Sequence, residues 1–391
     1  MAARSFILQQ VEVTITINED QKIQSLSGQK LLNALHDNNI LIPSACAGAG
    51  TCGLCRVIVP NRGEGVLPIE EANLGRSELR KGVRLACQVV IRGDMDVKVP
   101  QDLFDVKSWE CRVISTISLT PFIREIVLEL PTGATPHLRA GGYMQVSAPP
   151  HKVSFADFNI PQEYEDIWRQ KNLRGLTSEC KHEITRAYSL ANRTSDHGKI
   201  IFNVRLALPP PTIKGAPPGI VSSYLFSLKV GDIVKIEGPY GEFGATQTQS
   251  EMIFIGGGVG MAPLRAIIHD QLERKKTKRK ISYWYGARSR IELFYESEFN
   301  SLQSEYENFT WKVALSEPRP QDNWQGATGF IHEVVYKSYL KQHSRPQDCE
   351  YYLCGPPLMI KAVLAMLEDI GVSKQNIFND DFGGADNDFE S

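Results

Sequence analysis

Four cysteines in the first quarter of the chain could hold iron. Cys46, Cys52 and Cys55 lie within ten residues, with gaps of five and two residues, and Cys87 follows after 31 more. Four thiolates are a complete ligand set for one [2Fe-2S] cluster. The glycines between the first three cysteines would let the loop wrap closely around a cluster, because they lack a Cβ. A structural zinc site is the alternative, although zinc usually pairs two C-x₂₋₄-C units.

A second group of residues could bind a flavin. Arg186, Tyr188 and Ser189 belong to the segment RAYS at the predicted start of a strand. An arginine can pair with a phosphate, a tyrosine ring can stack on a flat ring system, and a serine can hydrogen-bond its edge. The tetrapeptide alone is weak evidence, because a surface arginine beside a packed tyrosine would have the same sequence.

Two predicted helix starts have the composition of phosphate sites. In the first, Gly219 precedes Ser222 and Ser223, where backbone N–H groups and hydroxyls could bind a pyrophosphate. In the second, a glycine run lies between an apolar strand and a helix, so that a nucleotide pyrophosphate could approach the backbone. The glycines of this run are Gly256, Gly257, Gly258 and Gly260. The run departs from strict G-x-G-x-x-G, and a plain strand-to-helix turn is the alternative.

A third segment near the C-terminus could also contact a nucleotide. Cys354, Gly355 and Pro356 end the apolar segment YYL. They would lie at the carboxyl edge of a parallel sheet, where ligands of open α/β sheets bind. A small buried thiol at a turn is the alternative for Cys354.

The elements that must position these residues begin with a small α+β unit over residues 1–105. The segment VEVTITI alternates apolar and polar residues, as a half-buried strand does. A helix carrying three leucines should follow, with Ser27 as its cap. Pro100 and the polar residues after it favour a boundary near residue 105.

Two further domains fill the rest of the chain. Residues 106–247 contain many short strands separated by turns, which favours an antiparallel barrel. The aromatic-rich stretch 151–183 is too long for a barrel connection, and we interpret it as a surface excursion carrying some helix. Residues 248–384 alternate strands and helices, which predicts a parallel sheet covered on both faces. Residues 385–391 form an acidic tail. The predicted fold class is therefore multidomain, α+β followed by a barrel and an α/β domain.

Composition excludes several classes of function. The 391 residues include 43 Lys and Arg against 45 Asp and Glu, so the net charge of −2 makes nucleic acid an unlikely partner. No run of about eighteen apolar residues predicts a membrane span, and the start lacks a signal peptide, so the chain as written should be soluble and unexported. Eight cysteines are too few for a disulfide scaffold, which favours a reducing compartment. Three of them are most simply buried or idle thiols, namely Cys111, Cys180 and Cys349.

These motifs resemble two known families in succession. The cysteine spacing resembles that of [2Fe-2S] ferredoxins, whose fold is a β-grasp, although the first gap has five residues where the plant-type motif has four. The combination of RAYS, the Gly-Ser helix start and GPYGEF resembles the ferredoxin–NADP reductase superfamily, which binds FAD on a barrel and a nicotinamide nucleotide on an α/β domain.

The second resemblance implies roles for the residues at the matching positions. Arg186 would bind the FAD pyrophosphate, Tyr188 would stack on the isoalloxazine, and Ser189 would lie near its N5. The phosphates of FAD would be held by Gly219, Val221 and Ser222. Cys354 would face the nicotinamide, and the glycine run with Gly355 and Pro356 would bind the nucleotide. The aromatic residue that covers the flavin in this superfamily corresponds to Phe382, so the implied catalytic residues are Ser189, Cys354 and Phe382.

A closer resemblance extends from about residue 11 to 384. The segments FADFNIPQEYEDIW, RLALPPPTIKGAPPGIVSSY, WYGARS, QDNWQGATGFIHEVVY and DDFGG are similar to those in the family of F subunits of sodium-translocating NADH:quinone oxidoreductases. That family carries an N-terminal membrane helix, which this chain as written lacks. Arg288, Ser289 and Arg290 could meet a 2′-phosphate, so the preference for NADH over NADPH is implied by the resemblance alone.

The closer resemblance implies a function and a location. NADH would give a hydride to FAD, and single electrons would then pass to the [2Fe-2S] cluster and on to the other subunits of a membrane complex that reduces ubiquinone and transports sodium. The complex would lie in the bacterial inner membrane, with this chain on the cytoplasmic side. The alternative is a soluble NADH-dependent reductase component of a bacterial oxygenase, which would use the same cofactors without an anchor.

Overall fold

The computed structural model describes residues 11–46, 48–60, 65–210, 213 and 215–380. The chain forms two compact units, whose main division lies between Ser108 and Trp109. The first unit contains the four clustered cysteines, and the second contains two large sheets of six strands each.

The first unit combines short strands with short helices, as predicted for an α+β domain. Its elements in chain order are β1 (Glu12–Ile17), β2 (Gln21–Leu26), α1 (Leu31–Asp37), β3 (Arg56–Ile58), α2 (Pro68–Asn73), α3 (Arg76–Arg80), β4 (Val83–Leu85) and β5 (Met95–Val97). Strand β1 is antiparallel to β2 and parallel to β5, while β3 and β4 form a separate antiparallel pair. Val13, Ile15 and Ile17 of β1 are buried, because alternate residues of a strand point to the same face.

The prediction that Ser27 caps the first helix is wrong. Helix α1 begins at Leu31, and its N-cap residue is Lys30. The Ser27 hydroxyl instead accepts a hydrogen bond from the Val11 backbone N–H at 2.9 Å. The three leucines predicted for this helix are buried, so its core-facing side is confirmed.

The second unit begins with an antiparallel barrel, as predicted. Its elements are β6 (Lys107–Thr120), β7 (Ile123–Glu129), β8 (Tyr143–Ala148), β9 (His151–Ser154), α4 (Glu165–Gln170), β10 (Thr177–Cys180), β11 (Ile184–Ser189), β12 (Lys199–Arg205), α5 (Ile220–Ser227) and β13 (Ile233–Tyr240). The sheet order is β11-β8-β13-β6-β7-β12. Just after β11, a bridge joins Leu190 to Phe202 of β12, and the Ala191 N–H donates to the Ile201 carbonyl at 2.8 Å. This link between the two edge strands closes the barrel.

The stretch 151–183 carries helix as predicted, but it is not a surface excursion. Its strands β9 and β10 pair with each other, and α4 lies between them. Phe155 and Trp168 are fully buried, and Phe158 is nearly so. The indole N–H of Trp168 donates to the Pro121 carbonyl at 2.9 Å, so the stretch packs on the barrel as part of its core.

The second sheet is parallel throughout, which confirms the α/β prediction. Its elements are β14 (Met252–Gly257), α6 (Met261–His269), β15 (Ile281–Ala287), α7 (Glu296–Glu305), β16 (Phe309–Leu315), β17 (Ala327–Thr328), α8 (Ile331–Ser338), β18 (Glu350–Cys354), α9 (Pro357–Asp369) and β19 (Ile377–Asp380). Every residue of β14 and β18 is buried, as central strands of a sheet covered on both faces should be.

The strand order of this sheet locates a ligand crevice. The order β17-β16-β15-β14-β18-β19 means that the chain moves outward from β14 in one direction and then crosses to begin again at β18 on its other side. Ligands of open parallel sheets bind at the carboxyl ends of the strands where the order reverses. That point lies between the ends of β14 and β18, at the predicted glycine and cysteine turns.

Among the described residues, no helix is both long enough and apolar enough to cross a membrane.

Candidate functional site

The four cysteines predicted as cluster ligands lie together in the first unit. The Sγ atoms of Cys46 and Cys52 are 3.3 Å apart, and Cys87 contacts the thiols of both Cys46 and Cys55. Hydrogen bonds among the thiols lower the pKa of Cys46 and Cys55 and raise the pKa of Cys52 and Cys87. The thiols are close enough to act as one ligand set, in which bound iron would take all four as thiolates.

The loop around these thiols also fits a cluster. Gly50 has a φ angle of +86°, and a Cβ there would lie 2.8 Å from Nε2 of Gln88. Gln88 donates from Nε2 to the Gly48 carbonyl at 2.9 Å and to Sγ of Cys87 at 3.2 Å. The Thr51 hydroxyl is buried without a hydrogen-bond partner in the described part of the chain, so its proton is available to a cluster sulfur. Neither polar side chain was predicted from the sequence, although Thr51 directly precedes Cys52 and Gln88 directly follows Cys87.

Strand β11 presents the predicted flavin residues. Arg186 and Tyr188 share one face of the strand because they are two residues apart. The Tyr188 ring packs near Phe202 of β12, with centroids 6.0 Å apart. Ser189 is 8% exposed, and its hydroxyl donates to the Asp380 carboxylate at 3.0 Å. Asp380 ends β19, so this bond joins the barrel to the parallel sheet. No local pattern in the sequence indicates this bond, because 191 residues separate the partners.

The predicted phosphate site at Gly219 is the N-terminus of α5. A Cβ at Gly219 would lie 2.6 Å from Cβ of Ala207, so only glycine fits there. The Ser222 and Ser223 hydroxyls donate to the Gly219 carbonyl at 3.1 and 2.6 Å, and their protons are therefore not free for a phosphate. The N–H groups of the first helical turn, that of Val221 among them, are the donors left for a pyrophosphate.

The glycine run forms the strand-turn-helix unit that a nucleotide pyrophosphate requires. Gly256 and Gly257 end β14, residues Gly258–Gly260 form a 3₁₀ turn, and α6 follows directly. A Cβ at Gly260 would lie 2.0 Å from the carbonyl oxygen of Cys354. The turn therefore presses against the end of β18, with the helix N-terminus at the crevice.

The end of β18 is packed equally closely. Cys354 pairs with Gly256 in the sheet register, and its side chain is fully buried. A Cβ at Gly355 would lie 2.5 Å from Cε of Met359, and Pro356 is the N-cap residue of α9. The structure thus brings both predicted turns together at the crevice, while contact between Cys354 and a nicotinamide stays a prediction.

A buried polar network that the sequence did not predict joins α6 to the barrel. Arg265 is 3% exposed and donates to both carboxylate oxygens of Glu298, at 2.6 and 2.7 Å. It also donates to the carbonyl of Ala191, two residues beyond Ser189. His269 contacts Glu298 at 2.8 Å. Burial alone would raise the pKa of Glu298, but hydrogen bonds from Arg265 and His269 lower it to about 2.

One further group of possible metal ligands lies at the other end of the sheet. The ligand atoms of Glu251, His343 and Cys349 lie within 4.8 Å of one another. Nδ1 of His343 accepts the Arg345 N–H at 3.2 Å, which assigns the ring proton to Nε2, 3.2 Å from Glu251. Lys280 lies 3.5 Å from the same carboxylate. The existing hydrogen bonds and the lysine charge oppose a cation, so this group stabilises the fold. Cys349 is thus a buried thiol, as predicted.

Phe382, predicted to cover the flavin, lies outside the described residues, as does the predicted acidic tail 385–391.

Three segments of the chain match known domain families. Residues 15–92 match the 2Fe-2S iron-sulfur cluster binding domain. Residues 151–244 match the oxidoreductase FAD-binding domain, and residues 254–365 match the oxidoreductase NAD-binding domain. The predicted order of the three cofactor-binding parts is therefore confirmed.

Two curated relatives are similar over almost the whole chain. The F subunit of the Na(+)-translocating NADH-quinone reductase of Neisseria gonorrhoeae is 51% identical over 382 residues, which is 98% of this chain and 94% of the relative. Its counterpart from Klebsiella pneumoniae is 51% identical over 386 residues, 98% of this chain and 95% of the relative.

Solved structures with the same fold are more distant in sequence. A cytochrome P450 reductase from Amycolatopsis has a TM-score of 0.64 at 22% identity, covering 95% of this chain and 98% of that one. A ferredoxin reductase of carbazole 1,9a-dioxygenase has a TM-score of 0.60 at 24% identity, covering 95% and 99%. At these identities the likeness supports the fold alone.

Proposed function

The chain belongs to the family of F subunits of Na(+)-translocating NADH-quinone reductases, and from this we propose how its residues perform the electron input of that enzyme. It is the NADH-oxidising flavoprotein subunit, with FAD, NADH and a [2Fe-2S] cluster as its redox groups. The observation that carries the proposal is the convergence, in one chain, of four thiols, a closed barrel with a glycine-capped helix, and a glycine turn at the crevice of a parallel sheet.

The nucleotide binds at the crevice between β14 and β18. The N–H groups of Val259 and Gly260, at the start of the turn and before the Met261 N–H that bonds back to Gly258, hold its pyrophosphate, and the α6 dipole stabilises the negative charge. Cys354 and Gly355 form the opposite wall, where the nicotinamide lies. The close contact between Gly260 and Cys354 keeps the two walls in one fixed relation.

The flavin binds on the barrel beside that crevice. Arg186 pairs with its pyrophosphate, the first turn of α5 donates further N–H groups to it, and Tyr188 stacks on its ring. Ser189, whose hydroxyl donates to Asp380, would contact the bound flavin ring. Hydride transfer needs no proton from a side chain, so these residues act by alignment of the two ring systems.

The cluster ligands are Cys46, Cys52, Cys55 and Cys87. When bound, FAD supplies the conversion between the two-electron chemistry of NADH and the one-electron chemistry of an iron–sulfur cluster. The chain's part is to supply four thiolates, and the Gln88 and Thr51 donors tune the cluster by hydrogen bonds to sulfur.

The partners are the other subunits of a multi-subunit complex, as the names of the relatives indicate. We place the chain on the cytoplasmic side of the bacterial inner membrane, where NADH is available, with ubiquinone as the final acceptor. A soluble oxygenase reductase is less supported, because the relatives with that role share only 22–24% identity with this chain.

Reconstitution tests this assignment. The purified chain, loaded with FAD and iron–sulfur, should oxidise NADH with an artificial one-electron acceptor. Combined with the remaining subunits of the Neisseria enzyme, it should restore NADH-driven, sodium-dependent ubiquinone reduction. The C55S variant, which lacks one cluster ligand, should fail in the second assay. Equal quinone reduction by wild type and C55S would overturn the assigned electron path.

A further inference from the structure

The carboxyl end of β15 carries an arginine at the position expected for the adenosine end of the nucleotide. Gly286 of β15 pairs with Gly257 of β14, and Arg288 follows two residues later. Since the pyrophosphate lies at the end of β14, the adenine ribose extends to the end of the neighbouring strand. An arginine there is the usual partner of the 2′-phosphate that distinguishes NADPH from NADH.

This arginine is already held by a carboxylate. Arg288 donates to Glu292 from Nη2 at 2.5 Å and from Nε at 3.2 Å, and Glu292 ends the short 3₁₀ helix that follows. The pair uses the Nε and Nη2 donors, which form one of the two guanidinium edges that can bind a phosphate through two parallel hydrogen bonds. The side chain of Arg288 is 51% exposed and that of Glu292 is 25% exposed, so the pair faces solvent on the nucleotide side of the sheet end.

The neighbouring groups add negative charge. Arg290 lies 3.7 Å from Glu296, and its backbone N–H donates to Asp322 at 3.1 Å. Asp322 also pairs with Arg319 at 3.2 Å. The Glu317 N–H donates to the Arg288 carbonyl at 2.7 Å, and the Glu317 carboxylate lies near enough to interact with the Arg288 charge. Four carboxylates therefore face three guanidinium groups at this strand end.

We propose that Glu292 selects NADH over NADPH by holding Arg288 in a two-bond ion pair. A 2′-phosphate would have to compete with this carboxylate for the guanidinium and enter a region with excess negative charge, whereas the uncharged 2′-hydroxyl of NADH need do neither. The inference rests on the proposed function, because it names the residue that decides which nucleotide the same site accepts. Glu292 acts through Arg288 and is a specificity residue, with no part in hydride transfer.

The E292Q variant tests the proposal, because it removes the charge and keeps the shape. The ratio of kcat/KM for NADPH to that for NADH should rise roughly tenfold or more when the guanidinium becomes free to bind phosphate. A binding measurement independent of catalysis should agree: by calorimetry, 2′,5′-ADP should bind roughly tenfold tighter to E292Q than to wild type, while 5′-ADP changes little.

Two controls make the result specific. E305Q removes an exposed carboxylate at the other end of α7, away from Arg288, and it should leave the ratio near the wild-type value. The double variant R288L/E292Q should lose the gain, because the freed guanidinium is absent. An unchanged ratio in E292Q, or a gain that survives in the double variant, would overturn the proposal. Wild type that fails to oxidise NADH would instead refute the proposed function, so the two failures are distinguishable.

Discussion

At the scale of single residues, close packing fixes the nucleotide turn. Gly260 lies so near the end of β18 that a Cβ would come within 2.0 Å of the Cys354 carbonyl oxygen. Backbone atoms cannot rotate away as a side chain does, so the turn would have to move. Such a movement would shift the N–H groups that hold the pyrophosphate relative to the wall formed by Cys354.

We expect G260A to weaken both NADH binding and the fold. Overpacking of this kind costs about 1–3 kcal/mol of stability, and the displaced donors should raise the Kd for NADH by roughly tenfold or more. The measurement is NADH affinity by fluorescence titration together with the thermal unfolding midpoint.

G175A is the matched control for this substitution. The nearest atom to a Cβ at Gly175 is Oδ1 of Asn172 at 3.9 Å, so the added methyl group fits. Wild-type NADH affinity in G260A would show that the turn is not the pyrophosphate site.

At the scale of elements, one buried arginine joins the 151–183 stretch to α5, the helix proposed to bind FAD. Arg124 is 3% exposed, and it donates to the carbonyls of Phe226 and of Asn159. Phe226 is in the last turn of α5, so the cation lies at the negative end of that helix dipole. Burial lowers the pKa of Arg124 to about 10. The stretch therefore fixes α5 from its C-terminus, while its N-terminus is the proposed site of the FAD phosphates.

We expect R124Q to reduce FAD affinity. Losing charge-assisted bonds to two carbonyls, one of them buried, should cost about 2–4 kcal/mol of stability, and the looser helix should raise the FAD Kd roughly tenfold. Titration of flavin fluorescence and thermal unfolding check both effects.

R169Q provides the control in the same stretch. Arg169 pairs with Asp166 at 3.2 Å on the exposed face of α4, where an ion pair contributes little. If R124Q bound FAD as tightly as R169Q, the stretch would have no part in positioning α5.

At the scale of the whole molecule, the second unit depends on polar bonds between its two sheets. Arg265 is in α6 and Glu298 is in α7, two helices of the α/β part of the unit. Arg265 bonds to Glu298 and also to the Ala191 carbonyl, which belongs to the barrel. The pKa of Glu298 is lowered to about 2, against an ordinary value near 4.3 in an unfolded chain. This group therefore stabilises the fold above pH ~4.5, and the contribution is lost as the pH falls toward 2.

We expect the second unit to lose stability in acid through this group. At pH ~3 about 2 kcal/mol of its contribution should be gone, and E298Q, already less stable at neutral pH, should lack that part of the acid dependence. All five tryptophans lie between residues 109 and 324, so tryptophan fluorescence during urea unfolding reports on this unit alone.

E307Q serves as the control. Glu307 is an exposed carboxylate that lies two residues after the end of α7, the helix that contains Glu298. An E298Q variant with the same acid dependence as E307Q would show that Glu298 does not carry the effect.

Sequence reasoning succeeded where one local signal sufficed. Cysteine spacing, the strand-turn-helix glycines and the alternation of strands with helices each depend on neighbouring residues, and all three were found. Two bonds could not be predicted, because their partners are far apart in the sequence. Ser189 and Asp380 are separated by 191 residues, and Arg265 and Ala191 by 74. The prediction that the 151–183 stretch is a surface excursion was wrong, because its aromatic residues follow no simple period. Their burial depends on contacts with the barrel, which the local sequence does not indicate.

Anaerobic titration of the loaded chain with NADH would decide whether electrons pass from nucleotide through flavin to cluster within this chain. The flavin absorbance should bleach, and the paramagnetic resonance signal of a reduced [2Fe-2S] cluster should then appear in wild type but not in C55S. A flavin that is fully reduced while the cluster of wild type stays oxidised would contradict the internal relay.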